Sequence, residues 1–198
     1  MTSTSGRVRM SPEQRRGQLL DIGVRLLRTH PLDELSIELL ADEAGISRGL
    51  LYHYFGNKQE FHVAVIRQAV EDIYAITAPQ DLDDPIAQLE ASLGAYLDYV
   101  IENHAGYVSL VRAAAGGNDE LREIYEDSRQ ALSDRVFERA QGLETFAGID
   151  TPATRLLAKG WTALVEDSVL SWIDDPAGLS RDELLSRLAR ALTAVLLP

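Results

Sequence analysis

The residues that most constrain this chain are those that begin and end helices. Ser11-Pro12 with Gln14, Asn57 with Glu60, Asp84-Pro85, Thr151-Pro152 and Ser180 with Glu183 are N-caps, capping boxes or prolines at a first helical position. Ser36 and Ser47 are further cap candidates, and Gly45 and Gly56 supply stops. Between these marks the apolar residues recur at helical spacing, as in Leu19, Ile22 and Leu26 or Leu184, Leu188, Leu192 and Val195. No segment shows convincing strand alternation. The pattern predicts an all-α chain of nine helices. The first runs to Pro31, a second opens at Ser36, and a short third spans Ser47 to Phe55. A slight break is expected at residues 104–106, a turn at Gly116-Gly117-Asn118, and a seventh helix through "DELREIYEDSRQALSDRVFERAQGL".

Composition removes several function classes. The 198 residues are 45% hydrophobic, enough to bury a real core, and contain no cysteine, so disulfides and thiolate metal sites are excluded. No apolar run reaches the roughly 18 residues of a membrane span, and "MTSTSGRVRMSPEQRR" lacks the apolar region of a secretory signal. A cytoplasmic protein is expected. His30, His53, His62 and His104 show no metal-binding spacing, and no glycine-rich phosphate loop follows a strand. No nucleophile–base pairing can be read either, so neither an enzyme nor a cofactor is expected.

The net charge of -12 is unevenly spread. Residues 1–60 carry eight Lys/Arg and eight Asp/Glu, so the whole excess of acid lies beyond them. Six arginines (Arg7, Arg9, Arg15, Arg16, Arg25 and Arg28) stand among the first 28 residues against Glu13 and Asp21. Such asymmetry suits a front that approaches a polyanion and a body that does not.

The segment "AGISRGLLYHYFGNKQEF" explains that front. Tyr52, His53 and Tyr54 in succession cannot share one helix face, so they are poorly suited to plain core packing. Two short helices joined across Gly45-Ile46-Ser47 match a helix-turn-helix, whose second helix enters the DNA major groove. Arg48 at its start can pair with a guanine, Gly49 lets the backbone approach the bases, and the tyrosines can reach phosphates or base edges. Lys58, beside free backbone N–H groups at the next helix start, makes a phosphate site.

"SIELLADEAGISRGLLYHYFGNKQEF" resembles the DNA-binding signature of the tetracycline-repressor (TetR) family of bacterial transcription regulators. Ser36, Ala44-Gly45-Ile46-Ser47, Leu51-Tyr52, Tyr54-Phe55 and Lys58 fit that signature in register over roughly residues 11–65. Leu40-Ala41 stands where the family usually has Ile-Ala. The resemblance implies that Ser36, Tyr52 and Lys58 hold phosphates. Arg48, Gly49 and Tyr54 would read bases, Leu50 would touch a thymine methyl, and His53 would face the backbone. With Ser47 at the helix start, these make up the expected DNA-facing set. Leu51 and Phe55 should point inward, and an arm carrying Arg7 and Arg9 would reach the minor groove.

The same resemblance implies two domains, residues 1–56 for DNA and 57–198 for ligand and dimerisation. It implies a repressor that acts as a homodimer through the last two helices, binds a palindromic operator of double-stranded DNA, and is released by a small-molecule effector. The eighth helix is apolar on two sides, Leu156, Gly160, Ala163 and Leu170 on one and Leu157, Trp161, Leu164 and Trp172 on another, which calls for a second partner. Candidate pocket residues are Tyr74, Tyr96, Tyr99, His104, Tyr107, Arg112, Trp161 and Glu166. Glu166-Asp167 inside an apolar helix suggests either a cationic ligand, a pair with Arg112 or an exposed edge. A body that binds a protein partner instead of a small ligand is the alternative; a deep, closed aromatic cavity would favour the ligand and a filled core with an exposed apolar patch the protein.

Overall fold

The computed structural model describes residues 10–140 and 146–196, and within them the chain forms nine α-helices and no strand. The helices are α1 (Pro12–Leu26), α2 (Ile37–Ala44), α3 (Arg48–Phe55), α4 (Lys58–Ile76), α5 (Pro85–Glu102), α6 (His104–Ala115), α7 (Asp119–Ala140), α8 (Pro152–Asp174) and α9 (Arg181–Leu196). Arg7 and Arg9, and the last three residues expected of the seventh helix, lie outside the described residues.

The caps do what their chemistry allows. Ser11 and Gln14 close a reciprocal capping box on α1, and Ser36, Ser47, Asn57 and Thr151 each accept an N–H of the first turn they precede. Gly45 ends α2 at φ 63°, the left-handed conformation that a side chain resists. Two expectations need correction. α1 ends at Leu26 rather than running to Pro31, because Arg28 and Thr29 tighten into i→i+3 turns (Arg28 N to Arg25 O, 3.2 Å; Thr29 N to Leu26 O, 3.2 Å). The break before α6 is the single residue Asn103, and Gly106 lies inside the helix.

Gly106 has a packing role instead. α6 has no side-chain cap, so its first N–H groups need outside partners. Gly106 donates to the Leu27 carbonyl at the end of α1, at 3.0 Å. The Leu32 N–H, in the loop that follows α1, donates to Ser109 Oγ on α6, at 3.0 Å. These two bonds fasten the N-terminal helices to the body.

Two apolar cores result. The first gathers α1, α2, α3 and the first half of α4 around Leu19, Leu40, Leu51 and Phe61, and reaches Leu110 of α6 and Ile124 of α7. The second lies among α5, α7, α8 and α9 around Leu97, Phe137, Ala158 and Val169. α4 runs from one to the other, ending with Ile73 in the second.

Candidate functional site

α2 and α3 are held as one unit by their inward residues. Leu51 and Phe55, four apart on α3, are 0% and 2% exposed and close on the core beneath. The opposite side of α3 is open: Ser47, Arg48, Gly49, Leu50, Tyr52 and His53 are all exposed. A Cβ on Gly49 would meet nothing within 4 Å, so the helix start offers bare backbone to a partner. Tyr54 is half-buried against the core and meets the His53 ring edge-on at 5.7 Å. The Arg48 guanidinium is only loosely held, 3.7 Å from Glu38, with both side chains largely in solvent. An exposed pair of this kind contributes about 0–1 kcal/mol, so a phosphate or a base edge can displace Glu38 cheaply.

The flanking residues complete this surface. Ser36 is half-buried; its Oγ accepts the Leu39 N–H at 3.0 Å and keeps its own hydrogen for another acceptor. Ser47 does the same for Leu50 at 3.4 Å. Lys58, at the start of α4, turns its ammonium to the Asp33 carbonyl at 2.7 Å. Below it His62 donates to the Leu35 carbonyl through Nε2, at 2.6 Å, which ties α4 to the loop before α2. Burial holds the His62 imidazole below its ordinary value, so it remains neutral here. Arg16 of α1 lies over the Phe55 ring, 5.2 Å from its centre, and adds positive charge to this end.

The body contains a half-open cavity of about 770 Å³ lined by residues of α4 to α9. Tyr74, Tyr96, Tyr107, Trp161 and Glu166 line it, whereas Tyr99, His104 and Arg112 do not. Tyr99, less than a turn beyond Tyr96, faces α4 and donates to the Ala69 carbonyl at 3.3 Å. His104 is half-buried on the first turn of α6. Arg112 is exposed, because five residues from Tyr107 turn it about 140° round the same helix. The Tyr74 ring is capped by the Arg135 guanidinium, 3.5 Å from its centre, and Arg135 also bonds Thr77 Oγ1 and the Tyr74 carbonyl.

Glu166 is the hub of the cavity's polar side. Tyr107 donates to its Oε2 at 2.8 Å and Tyr125 to its Oε1, while Tyr96 and Tyr107 share a 2.7 Å bond. Arg129 donates to the Tyr125 hydroxyl at 3.1 Å and to Thr162 Oγ1 at 3.3 Å. Burial pushes the Tyr96 and Tyr107 hydroxyls well above their ordinary value, and burial with the Glu166 bond pushes Tyr125 up to about 12. All three therefore stay neutral donors. Of the three readings of Glu166-Asp167, the pair with Arg112 does not form, and Asp167 is exposed. Tyr125, Arg129 and Thr162 join the site without having stood out in the sequence. Their signal was complementary spacing: Tyr125 and Arg129 are four apart on α7, as Thr162 and Glu166 are on α8.

α8 also needs redrawing. Trp161, placed with Leu157 and Leu164 on one apolar side, is buried in the second core and donates Nε1–H to the Leu188 carbonyl at 2.8 Å. Trp172 turns the same way and donates to the Leu179 carbonyl. What remains outside is a single apolar face of Leu156 (70% exposed), Leu157, Gly160, Ala163 and Leu164.

Two family profiles match this architecture, "Bacterial regulatory proteins, tetR family" over residues 19–65 and "Tetracyclin repressor-like, C-terminal domain" over residues 85–195. The chain belongs to the tetracycline-repressor family. A family member from Streptomyces coelicolor of known structure superposes with a TM-score of 0.80 at 30% identity, over 94% of this chain and 82% of that one. The transcriptional activator FasR of Mycolicibacterium smegmatis is 23% identical over 176 residues, which is 88% of this chain and 79% of FasR. The transcriptional regulator BetI of Burkholderia thailandensis is 35% identical over 89 residues, 43% of this chain and 46% of BetI. This TetR-family chain is therefore a DNA-binding helix-turn-helix transcription regulator and not an enzyme. Among the described residues no cluster of acidic and histidine side chains is arranged for a metal, and no helix is long and apolar enough to cross a membrane.

Proposed function

We propose that the protein is a homodimeric regulator that binds a palindromic operator and leaves it when a small molecule fills the cavity. The observation that carries this reading is the cavity itself. At about 770 Å³ it lies within the roughly 300–1,000 Å³ that small-molecule sites occupy. It is walled largely by apolar side chains with one organised polar cluster, as such sites are. α4 joins it to the DNA surface: Val70, Ile73, Tyr74 and Thr77 line the cavity, and Lys58 and His62 brace the helix-turn-helix at the other end. A ligand that displaces the cavity end of α4 would move the reading head with it.

The DNA contacts we assign are Ser36, Tyr52 and Lys58 to phosphates, with Ser47 and His53 at the edge of the surface. Arg48, Gly49 and Leu50 would meet the bases, with half-buried Tyr54 alongside them. Lys58 would exchange the Asp33 carbonyl for a phosphate oxygen. The exposed α8 face supports dimerisation, since a row of leucines beside Gly160 and Ala163 lets two helices approach closely. A two-fold dimer would read half-sites about 34–36 Å apart, or a multiple of that. Because the body holds a cavity of small-molecule size with an organised polar cluster, the small-ligand reading is favoured over a protein partner, and the exposed patch is assigned to the second subunit. FasR is an activator; whether a bound regulator blocks or recruits polymerase depends on where its operator lies, which is a property of the DNA. The cytoplasm is the compartment that this role requires.

The test is selection of sheared genomic DNA on the purified protein at stated salt, with Tyr52→Ala in parallel. A palindrome recovered by the wild type and lost in the variant is expected. Recovery of one sequence equally by both would overturn the assigned surface.

A further inference from the structure

The polar side of the cavity constrains the head of the ligand, an inference that rests on the effector reading above. Tyr107 spends its single hydrogen on Glu166, so Tyr96 must be the donor in the Tyr96–Tyr107 bond. The bonds then form one chain: Tyr96 to Tyr107 to Glu166, and from the other side Arg129 to Tyr125 to Glu166. Neither Glu166 nor Arg129 forms a salt bridge among the described residues. Each is instead the other's counter-charge at one remove, through the Tyr125 hydroxyl.

The cluster is thus neutral as a set, yet not saturated. Each Glu166 oxygen accepts one bond and can accept another, and Arg129 has used only two of its five N–H donors. The other cations on the lining stand apart from the cluster or are paired. Arg67 is paired with Glu120. Arg135 and Arg139 bond only neutral partners, Thr77, the Tyr74 carbonyl and Gln88, and keep their charge, but they stand six and ten residues beyond Arg129 on α7, roughly 9 and 15 Å along the helix. Glu71, Asp83 and Asp127 are exposed and screened by water. A charged head placed on the cluster would leave one charge uncompensated in a partly buried space.

We infer that the effector is a largely apolar molecule with one uncharged head, such as a primary amide, that donates to Glu166 and accepts from Arg129. Val70, Ile73, Leu89, Leu93, Leu110 and Leu132 provide the apolar walls for its body.

The experiment is titration calorimetry of the full-length protein with decanamide, decylammonium and decanoate at neutral pH, below micelle-forming concentrations. Decanamide should bind the wild type tightest, by roughly tenfold or more. Glu166→Gln leaves Arg129 without its counter-charge and should move the preference to decanoate. Arg129→Gln leaves Glu166 alone and should move it to decylammonium. A structural role would instead weaken all three heads alike, and that result overturns the inference. A charged head leading in the wild type also overturns it, while the effector reading stands; this comparison needs no variant to fold. Absence of binding by all three heads overturns both.

Discussion

Gly106→Ala tests the seam between the reading head and the body. A Cβ at Gly106 would stand 2.6 Å from the Leu27 Cβ and 2.8 Å from the Leu27 carbonyl oxygen. Carbon atoms pack at about 3.5–4.0 Å, so α6 must retreat by about 1 Å. That movement stretches the 3.0 Å bond from Gly106 to the Leu27 carbonyl, and no side-chain cap replaces it. Loss of the bond costs about 1 kcal/mol, and forcing a methyl into a filled seam costs about 1–3 kcal/mol. Replacing glycine in a helix returns about 0.5–1 kcal/mol. The balance is a destabilisation of about 1–3 kcal/mol, or roughly 2–12 °C in melting temperature for a protein of this size. Thermal unfolding followed by circular dichroism measures it, with Gly17→Ala as control. A Cβ at Gly17 meets nothing within 4 Å, so that variant should gain about 0.5–1 kcal/mol. If Gly106→Ala matched or exceeded the wild type in stability, the close approach would not be real and the reasoning would fail.

Other consequences are equally open to measurement. Leu164→Glu, on a residue 47% exposed, should leave the fold intact yet convert a dimer to a monomer in analytical ultracentrifugation; an unchanged mass would remove α8 from the interface. Arg48→Ala should cost about 1–3 kcal/mol at one base position, whereas Tyr52→Ala should weaken all sequences evenly, as competition binding at fixed salt would reveal. Ser36→Ala removes the acceptor of the Leu39 N–H and should lower stability by about 1 kcal/mol in urea unfolding. Four of the seven tyrosines, Tyr96, Tyr99, Tyr107 and Tyr125, have hydroxyls raised above the ordinary value of 10.0, Tyr125 to about 12. Each holds its proton more tightly folded than unfolded, so their stabilisation is complete below pH 10 and is lost as the pH climbs past it. Tyrosinate absorbance should then show these four groups ionising only above the ordinary tyrosine range or on unfolding.

The N-terminal third was the more legible part because its signals are local. A serine before a helix, a glycine in the left-handed region and an inward pair four residues apart at Leu51 and Phe55 act within one or two turns, so they can be read in order along the chain. The body gave up its helices for the same reason but not its cavity. Tyr96, Tyr107, Tyr125, Arg129 and Glu166 come from four helices, and no spacing along one helix reports which face meets which. Tyr99 and Arg112 were plausible by residue type and excluded by rotation about their own helix axes. Gly106 reads as a break, and only the arrival of the α1 terminus makes it a contact. Trp161 and Leu164 look equivalent on an apolar helix; the carbonyl of Leu188, presented by α9, draws the indole inward and leaves the leucine outside. Which segments are helical, and which short helix faces outward, can be read along the chain because capping and periodicity act between near neighbours. The tertiary structure alone decided the cavity, its neutral Glu166–Tyr125–Arg129 cluster and the bare face of α8, because each depends on how distant helices are rotated against one another.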